Sequence, residues 1–446
     1  MDALYQSGTI GKLYRLWFEL NRSNTVQIRT GCGTTKSTET GENVVQGMIG
    51  SGLLSTLNLS TGVEDFFSGS EDEVSYGEHR LEPLLFQDDI GRLSTSVHAA
   101  KAGNLKIEAL MNLKQLQLNV DKSNYILLGK KDQVSKIQQL IQKNPILLNG
   151  IEMKEKLFEK YLGEYIHSEG LSKTVEFTVQ KRYWLTVSSI MEIKTILNDY
   201  RIHIPGGINT GLMLWETSVI PMLLNNADTW NNVDKKAAKT LEDLQNMLVR
   251  YLFETPKTTA SPSLCWDTGM LTMKYRILEM QINFIFHLAT LDEESLGKET
   301  YETQKKYKFP GLISDLQALI TKFGLPNIFD LKIIQSLSKN SFKSLVREAI
   351  HSECENELKN EINNKDKLKS GPMPKESFEK KSYINTLLPA NARQIFKFRS
   401  KMFDAKYNYK SDRTYSEELW KCSSCQTCIK TQDHVLFCPS YAILRR

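Results

Sequence analysis

Apolar residues recur along this chain with a changing period, and the change separates its front from its middle. Leu4, Leu13, Leu16, Trp17 and Leu20 fall at roughly helical spacing over residues 2–20, interrupted by Gly8 and Gly11. Val26 and Ile28 alternate as a strand would over 25–30. Residues 29–42, rich in Gly and Thr, predict a loop, and 44–62 a helix with small residues. The acidic, polar stretch 64–79 predicts a loop. Leu84-Leu85-Phe86, then Gln87-Asp88-Asp89, then Ile90 predict strand, turn and strand. A helix is predicted over 99–118, with Leu105, Leu110, Leu113 and Leu116 as its apolar positions, and a strand at Tyr125–Leu128. Asn149-Gly150 between apolar runs predicts a hairpin within Ile146–Met153.

From about 175 to 300 the helical period dominates. Ile277, Met280, Ile282, Phe284, Ile285 and Leu288 should bury on one helix, with His287 packed rather than catalytic. The charged, proline-containing stretch 352–381 predicts a linker.

Composition narrows the class. The 446 residues carry a net charge of +5, with 40% hydrophobic and 24% charged residues, as in ordinary globular chains. The charge is only a mild lean toward polyanions. No run reaches the roughly 18 apolar residues a membrane helix needs. The first residues lack the basic-then-apolar pattern of a secretory signal, so an intracellular location, nucleus or cytoplasm, is expected. Seven cysteines do not pair evenly, and Cys422, Cys425, Cys428 and Cys438 crowd the end of the chain. That clustering suggests metal rather than disulfides.

Asp88 and Asp89 place two carboxylates at one turn. Their mutual repulsion is offset when a divalent cation binds between them. Mg²⁺ favours few carboxylates plus phosphate oxygens, and in nucleotidyl transfer two such ions activate a 3′-hydroxyl and stabilise leaving pyrophosphate. By itself the pair is more simply a solvated turn, for which Asp is a common former.

The surroundings carry a resemblance. Phe86-Gln87-Asp88-Asp89 resembles the aromatic-x-Asp-Asp motif of reverse transcriptases. Asn43-Val44-Val45-Gln46-Gly47 resembles their second palm motif, Leu118-Asn119-x-x-Lys122-Ser123 the Asn-x-x-Lys motif, and Lys160-Tyr161-Leu162-Gly163 the primer-gripping turn. In this order and spacing they resemble the reverse transcriptase of LINE-type (non-LTR) retrotransposons. Cys265–Leu271 and the helix after it resemble a turn and helix of the family's thumb.

The resemblance implies an RNA-directed DNA polymerase with an α+β fold. A partial palm would span 1–165, a helical thumb 166–300, a helical connector and charged linker 301–384, and a basic segment with a zinc-knuckle-like module 385–446. It implies that Asp88 and Asp89 hold Mg²⁺, that Gln46, Gly47 and Lys122 meet template and nucleotide, and that Tyr161, Leu162 and Gly163 grip the primer. RNA template, DNA primer or target, and deoxynucleoside triphosphates are the implied partners, with no membrane. The family's first catalytic carboxylate has no assigned counterpart, since Asp2 sits where a helix cap is expected. The fingers and endonuclease have none either. The chain is therefore expected to be inactive alone, or to act as a non-catalytic nucleic-acid-binding remnant.

Cys422-x2-Cys425-x8-His434-x3-Cys438 has the spacing of a tetrahedral Zn²⁺ site. Four protein ligands make such a site structural, stabilising a segment too small for its own core. Cys428 competes, because Cys425-x2-Cys428 has the same spacing; the family ending favours Cys422. Ahead of the cluster, seven basic residues, among them Arg393, Lys397, Arg399 and Lys401, face two acidic ones between 391 and 413, interleaved with Phe and Tyr. Either the cations meet phosphates while the rings stack on bases, or the rings pack inward and the charges form a solvated face.

Overall fold

The computed structural model describes residues 83–199, 204–231, 233, 235–308, 311–327, 329–330, 333, 336–369, 373–402, 421–429, 434 and 438–441, with scattered residues between 12 and 81. The expected helix at 2–20 apart from Lys12, and that at 44–62 apart from Leu59 and Ser60, lie outside the described residues, Gln46 and Gly47 with them. The architecture is α+β, with long helices and short paired strands. The chain divides into two compact units, Met1–Glu159 and Lys160–Arg446. Among the described residues no helix is long and apolar enough to cross a membrane.

In the first unit the strands form two-stranded ribbons. Thr25–Val26 pairs with Thr38–Glu39, and Arg29–Thr30 with Gly33–Thr34. Inside the stretch read as an acidic loop, Val74–Tyr76 pairs with His79–Leu81. Val and Tyr favour strands, and the acidic residues before them masked that preference.

Strands β1 (Leu84–Phe86) and β2 (Asp89–Gly91) form the predicted hairpin, with Leu85 opposite Ile90 and Phe86 opposite Asp89. Alternation sends Leu85 and Ile90 to one face, where they pack on the buried cluster Leu59, Val63, Phe67, Ile107, Leu110 and Met111. Leu84 and Phe86 take the opposite face and stay exposed.

Helix α1 (Val97–Leu113) begins at Ser96, whose hydroxyl accepts the Ala99 N–H. Its buried stripe is Ala99, Gly103, Ile107, Leu110 and Met111. Leu105 and Leu113, expected in that stripe, are instead each 66% exposed, and the helix stops at Leu113 rather than at 118. The expected strand at Tyr125–Leu128 is Asn124–Tyr125. It pairs in parallel with Lys154–Glu155, across a connection that holds α2 (Lys131–Lys143). Strands β3 (Leu147–Leu148) and β4 (Ile151–Glu152) flank Asn149 at φ 50° and Gly150 at φ 76°, the two left-handed residues a tight hairpin requires. Strands β5 (Phe158–Tyr161) and β6 (Glu164–His167) repeat the pattern around Leu162 and Gly163, and the division between units falls within β5.

The second unit is helical: α3 (Leu171–Asp199), α4 (Gly207–Leu214), α5 (Lys235–Phe253), α6 (Ser261–Thr268), α7 (Met273–Ala289), α8 (Leu296–Tyr307), α9 (Leu312–Lys322), α10 (Lys339–Asn363) and α11 (Pro389–Arg399) are its main elements. One core joins residues of α3, α4, α5 and α11 around Trp215 and Trp230, with Phe253 stacked on Phe396 at 4.1 Å. A second core gathers α6, α7, α9 and α10 around Trp266, with Phe286 stacked on Phe342 at 4.2 Å.

Ile277, Ile282 and Ile285 are buried as predicted, and Met280, Phe284 and Leu288 are half-buried. His287, expected to be packed, is exposed. At roughly 100° per residue it falls on the side of α7 away from Leu278, Ile282 and Ile285.

The predicted linker needs correction. Residues 352–363 continue α10, and Cys354, Leu358 and Ile362 extend the buried stripe of Phe342, Val346 and Ile350. One apolar residue per turn is a sparse signal among many charges, so composition hid a core helix.

Candidate metal centre

The C-terminal cysteines begin on a closed turn. The Cys422 N–H donates to the Cys428 carbonyl at 2.8 Å, and the Gln426 N–H to the Cys422 carbonyl at 2.8 Å. Lys421 bridges to Ile429, and Gln426 lies in the left-handed region at φ 55°. The Ser440 hydroxyl ties the end of the segment to the Ser424 carbonyl at 3.2 Å.

This geometry gathers Cys422, Cys425, His434 and Cys438 so that one ligand atom from each lies within 4.8 Å of all the others. Cys422 Sγ is 3.9 Å from Cys438 Sγ, and Cys425 Sγ is 3.3 Å from His434 Nε2. A tetrahedral zinc ion with Zn–S of about 2.3 Å would hold neighbouring sulfurs roughly 3.7 Å apart. The set is thus sized for one ion. Three thiolates and an imidazole suit Zn²⁺, and four protein ligands leave no position for substrate, so the role would be structural. Cys428 is exposed and stands outside the group, which decides the competition in favour of Cys422.

Hydrogen bonds around the sulfurs favour thiolates on the first pair. The Thr427 hydroxyl donates to Cys425 Sγ at 3.2 Å, and with the backbone N–H groups of Cys428 and Thr427 it holds the Cys425 thiol down to about 5. Backbone N–H groups of Cys425 and Ser424 lower Cys422. Contact with Cys422 raises His434, and burial raises Cys438. A bound cation reverses these last two tendencies, because it needs a neutral imidazole and a thiolate.

The other expected site residues are spread along the chain. Asp88 and Asp89 are exposed at the β1–β2 reversal, where Gln87 has φ 56°. Among the described residues no third His, Cys, Asp or Glu joins them in a metal-sized group. Lys122 is exposed and ends a single helical turn, and its N–H is accepted by Asn119 Oδ1 at 3.2 Å. The Asn-x-x-Lys spacing therefore has a local capping role whatever else it does.

The turn Tyr161-Leu162-Gly163 is held by its carbonyls. Leu162 accepts from Asn226 Nδ2 at 3.3 Å, and Gly163 from Arg182 Nη2 at 2.8 Å. Gly163 has φ 85°, and a Cβ there would come within 2.9 Å of Asn225 Nδ2. Arg182, buried in α3, also donates to Leu223 and Asn225 carbonyls at 3.1 and 2.8 Å, and its Nη2 lies 3.6 Å from Glu164 Oε2. Trp230 Nε1 donates to Glu164 Oε1 at 3.0 Å, while burial pushes the Glu164 carboxyl up. Motif spacing gave no hint of Arg182. Its only signal was a cation on the apolar face of a long helix.

Of the four basic residues expected to meet nucleic acid, two are taken up internally. Arg393 Nη1 pairs with Glu254 Oε1 at 2.7 Å and its Nε donates to the Leu252 carbonyl at 2.9 Å. Arg399 is bound by Asp267 and Glu376. Both guanidinium groups are thus paired within the protein and half-buried. Phe396 is fully buried, so the inward-packing alternative holds for that ring. Lys397 and Lys401 are half-buried at the end of α11. No protein-family model matches the chain, and no curated protein matches it.

Proposed function

We propose that this chain is a portion of a LINE-type retrotransposon reverse transcriptase whose zinc-braced C-terminal module engages nucleic acid, and that it does not synthesise DNA by itself. The observation that carries the polymerase reading is the β1–β2 hairpin, with Leu85 and Ile90 seated on an apolar cluster and Asp88 and Asp89 held out at its reversal. Nucleotidyl transfer asks that of a carboxylate pair. In this reading Asp88 and Asp89 would hold Mg²⁺, which supplies activation of the primer 3′-hydroxyl. Gln46, Gly47 and Lys122 would face template and triphosphate, and Tyr161-Leu162-Gly163 the primer end. Residues 166–300 would be the thumb. Among the described residues no third carboxylate joins the pair, and on those residues alone the second ion would lack its bridging ligand.

One observation favours a second reading, a non-catalytic binding remnant. Among the described residues the set that reaches a ligand-ready geometry is the Cys/His one, not the aspartates. Primer extension and binding on the purified 446-residue protein test what the two readings share. We expect no Mg²⁺-dependent extension on an RNA–DNA primer-template, and salt-sensitive nucleic-acid binding that falls on zinc chelation. Extension that disappears in Asp88→Ala would overturn the claim of inactivity. Binding that ignores both salt and zinc would overturn the role of the C-terminal module.

A further inference from the structure

We infer that Asp267-Thr268-Gly269 is a receptor for the chain's own C-terminal strap, residues 373–402, and that Arg399 is the residue that seats it. The strap comprises a turn at Met373–Lys375, a short helix at Ser382–Thr386 and α11. Its described residues run to Met402.

Asp267 is fully buried at the end of α6. Arg399 Nε donates to its Oδ2 at 2.7 Å and Nη2 to its Oδ1 at 2.9 Å. The Tyr383 hydroxyl donates to Oδ2 at 2.8 Å. The Asp267 backbone carbonyl accepts the Lys381 N–H at 3.0 Å. All these donors belong to the strap. A second carboxylate, Glu376, completes the fork: it accepts from Arg399 Nη1 at 3.0 Å and Nη2 at 2.7 Å, with Lys381 Nζ at 3.1 Å.

Gly269 is required on two grounds. It caps α6 in the left-handed region at φ 65°, and a Cβ there would overlap the Lys380 backbone nitrogen and lie 2.9 Å from the Glu379 carbonyl carbon. The backbone of the strap thus runs against the one residue without a side chain. Apolar contacts add to the seat: Phe378 packs on Trp266 and His351, and Phe396 on Phe253.

The physical consequence is a latch with a sharp register. A buried carboxylate stripped of its partners is strongly unfavourable, so Asp267 makes partial docking costly. A planar guanidinium serving two carboxylates at once cannot be matched by the point charge of a lysine. The strap should therefore dock or release as a unit while the helices beneath it stay folded.

Hydrogen exchange on the full chain tests this. Arg399→Met and Gly269→Ala should each speed exchange of the Lys381, Ile384 and Leu387 amides at least about tenfold, with α7 and α10 protected as before. Arg399→Lys should fall between. Asp267→Asn combined with Arg399→Met should lose no more protection than Arg399→Met alone, because the two side chains act as one pair. Unchanged strap exchange in Arg399→Met and Gly269→Ala would overturn the inference. So would loss of protection in α7 and α10 in step with the strap in Arg399→Lys, which would make these residues part of the general core.

Discussion

The two units differ in how large a buried core their described residues build. In Lys160–Arg446 many of the largest described side chains are inside: Trp215, Trp230, Trp266, Phe253, Phe342, Phe378 and Phe396 are fully buried, while Trp184, Leu185 and Ile204 stay more than half exposed. In Met1–Glu159 the described core is the small cluster of Leu59, Val63, Phe67, Ile107, Leu110 and Met111, while Leu105, Leu113, Leu128 and Leu157 are more than half exposed. Charges divide in the same way. The second unit buries Asp267 and Arg182 among partners, and Lys298 donates to the Ala289 carbonyl from the interior. In the first unit Asp88, Asp89 and Lys122 stand in solvent. These buried charges of the helical unit are structural elements. The candidate ligand groups sit on exposed turns, or in the Cys/His set that a metal would brace.

Removal of the metal should break this contrast most severely. Structural zinc contributes on the order of 10 kcal/mol to a small module that has no core of its own. Chelation, or Cys438→Ser, should release one equivalent of zinc by metal analysis and leave the circular dichroism of the helical unit in place. Cys428→Ser should keep its metal. A Cys428→Ser protein that loses zinc would assign the ligands differently.

Core truncation sharpens the comparison between units. Trp266→Ala should cost about 3–5 kcal/mol in denaturant unfolding, because it opens a cavity beneath Phe378. Leu113→Ala, in the first unit, should stay within about 0.5 kcal/mol, because the side chain is already in water. Equal effects would show that the burial contrast does not set stability.

Acid should act on the second unit through its depressed carboxylates. Arg399 holds Glu376 down to about 2, against an ordinary 4.5, and hydrogen bonds from Lys173 and Lys236 hold Glu176 down to about 2. Each folded value lies below the unfolded one. The stabilisation is therefore complete above the ordinary value and is lost as pH falls from about 4.5 through about 2. Strap exchange measured from about pH 5 down to about pH 2 should rise in this window. In Glu376→Gln the part of that rise owed to this residue should vanish.

The smallest effect is expected at the aspartates. Asp88→Asn should leave the melting temperature nearly unchanged, within about 0.5 kcal/mol, since the group is exposed at a turn. A clear gain in stability would point to carboxylate repulsion stored at the hairpin.

Features set by nearest neighbours are legible in the order of the amino acids. Asn149-Gly150, Leu162-Gly163 and Gln87-Asp88 each reverse the chain within two residues, and such turns depend on local backbone preference. The helical block and the inward Ile residues of α7 follow from periodicity. What escapes such reading depends on distant partners. The stretch beginning at 352 resembles a linker because its charges outnumber Cys354, Leu358 and Ile362, yet those three meet a core assembled from α6, α7 and α9. Arg399 resembles a phosphate contact because Asp267 lies 132 residues away in the chain.

Local order in the chain was enough to specify the helical block, the hairpin that carries Asp88 and Asp89, and the spacing that lets Cys422, Cys425, His434 and Cys438 meet. These rest on short-range rules: strand alternation, turn conformation and ligand spacing. Three outcomes required the folded molecule: Cys428 stands aside, Arg393 and Arg399 turn inward, and Gly269 faces the strap backbone. Each depends on which distant groups share a buried space. There an unpaired charge or a misplaced Cβ is costly, and the linear order of residues does not encode that proximity.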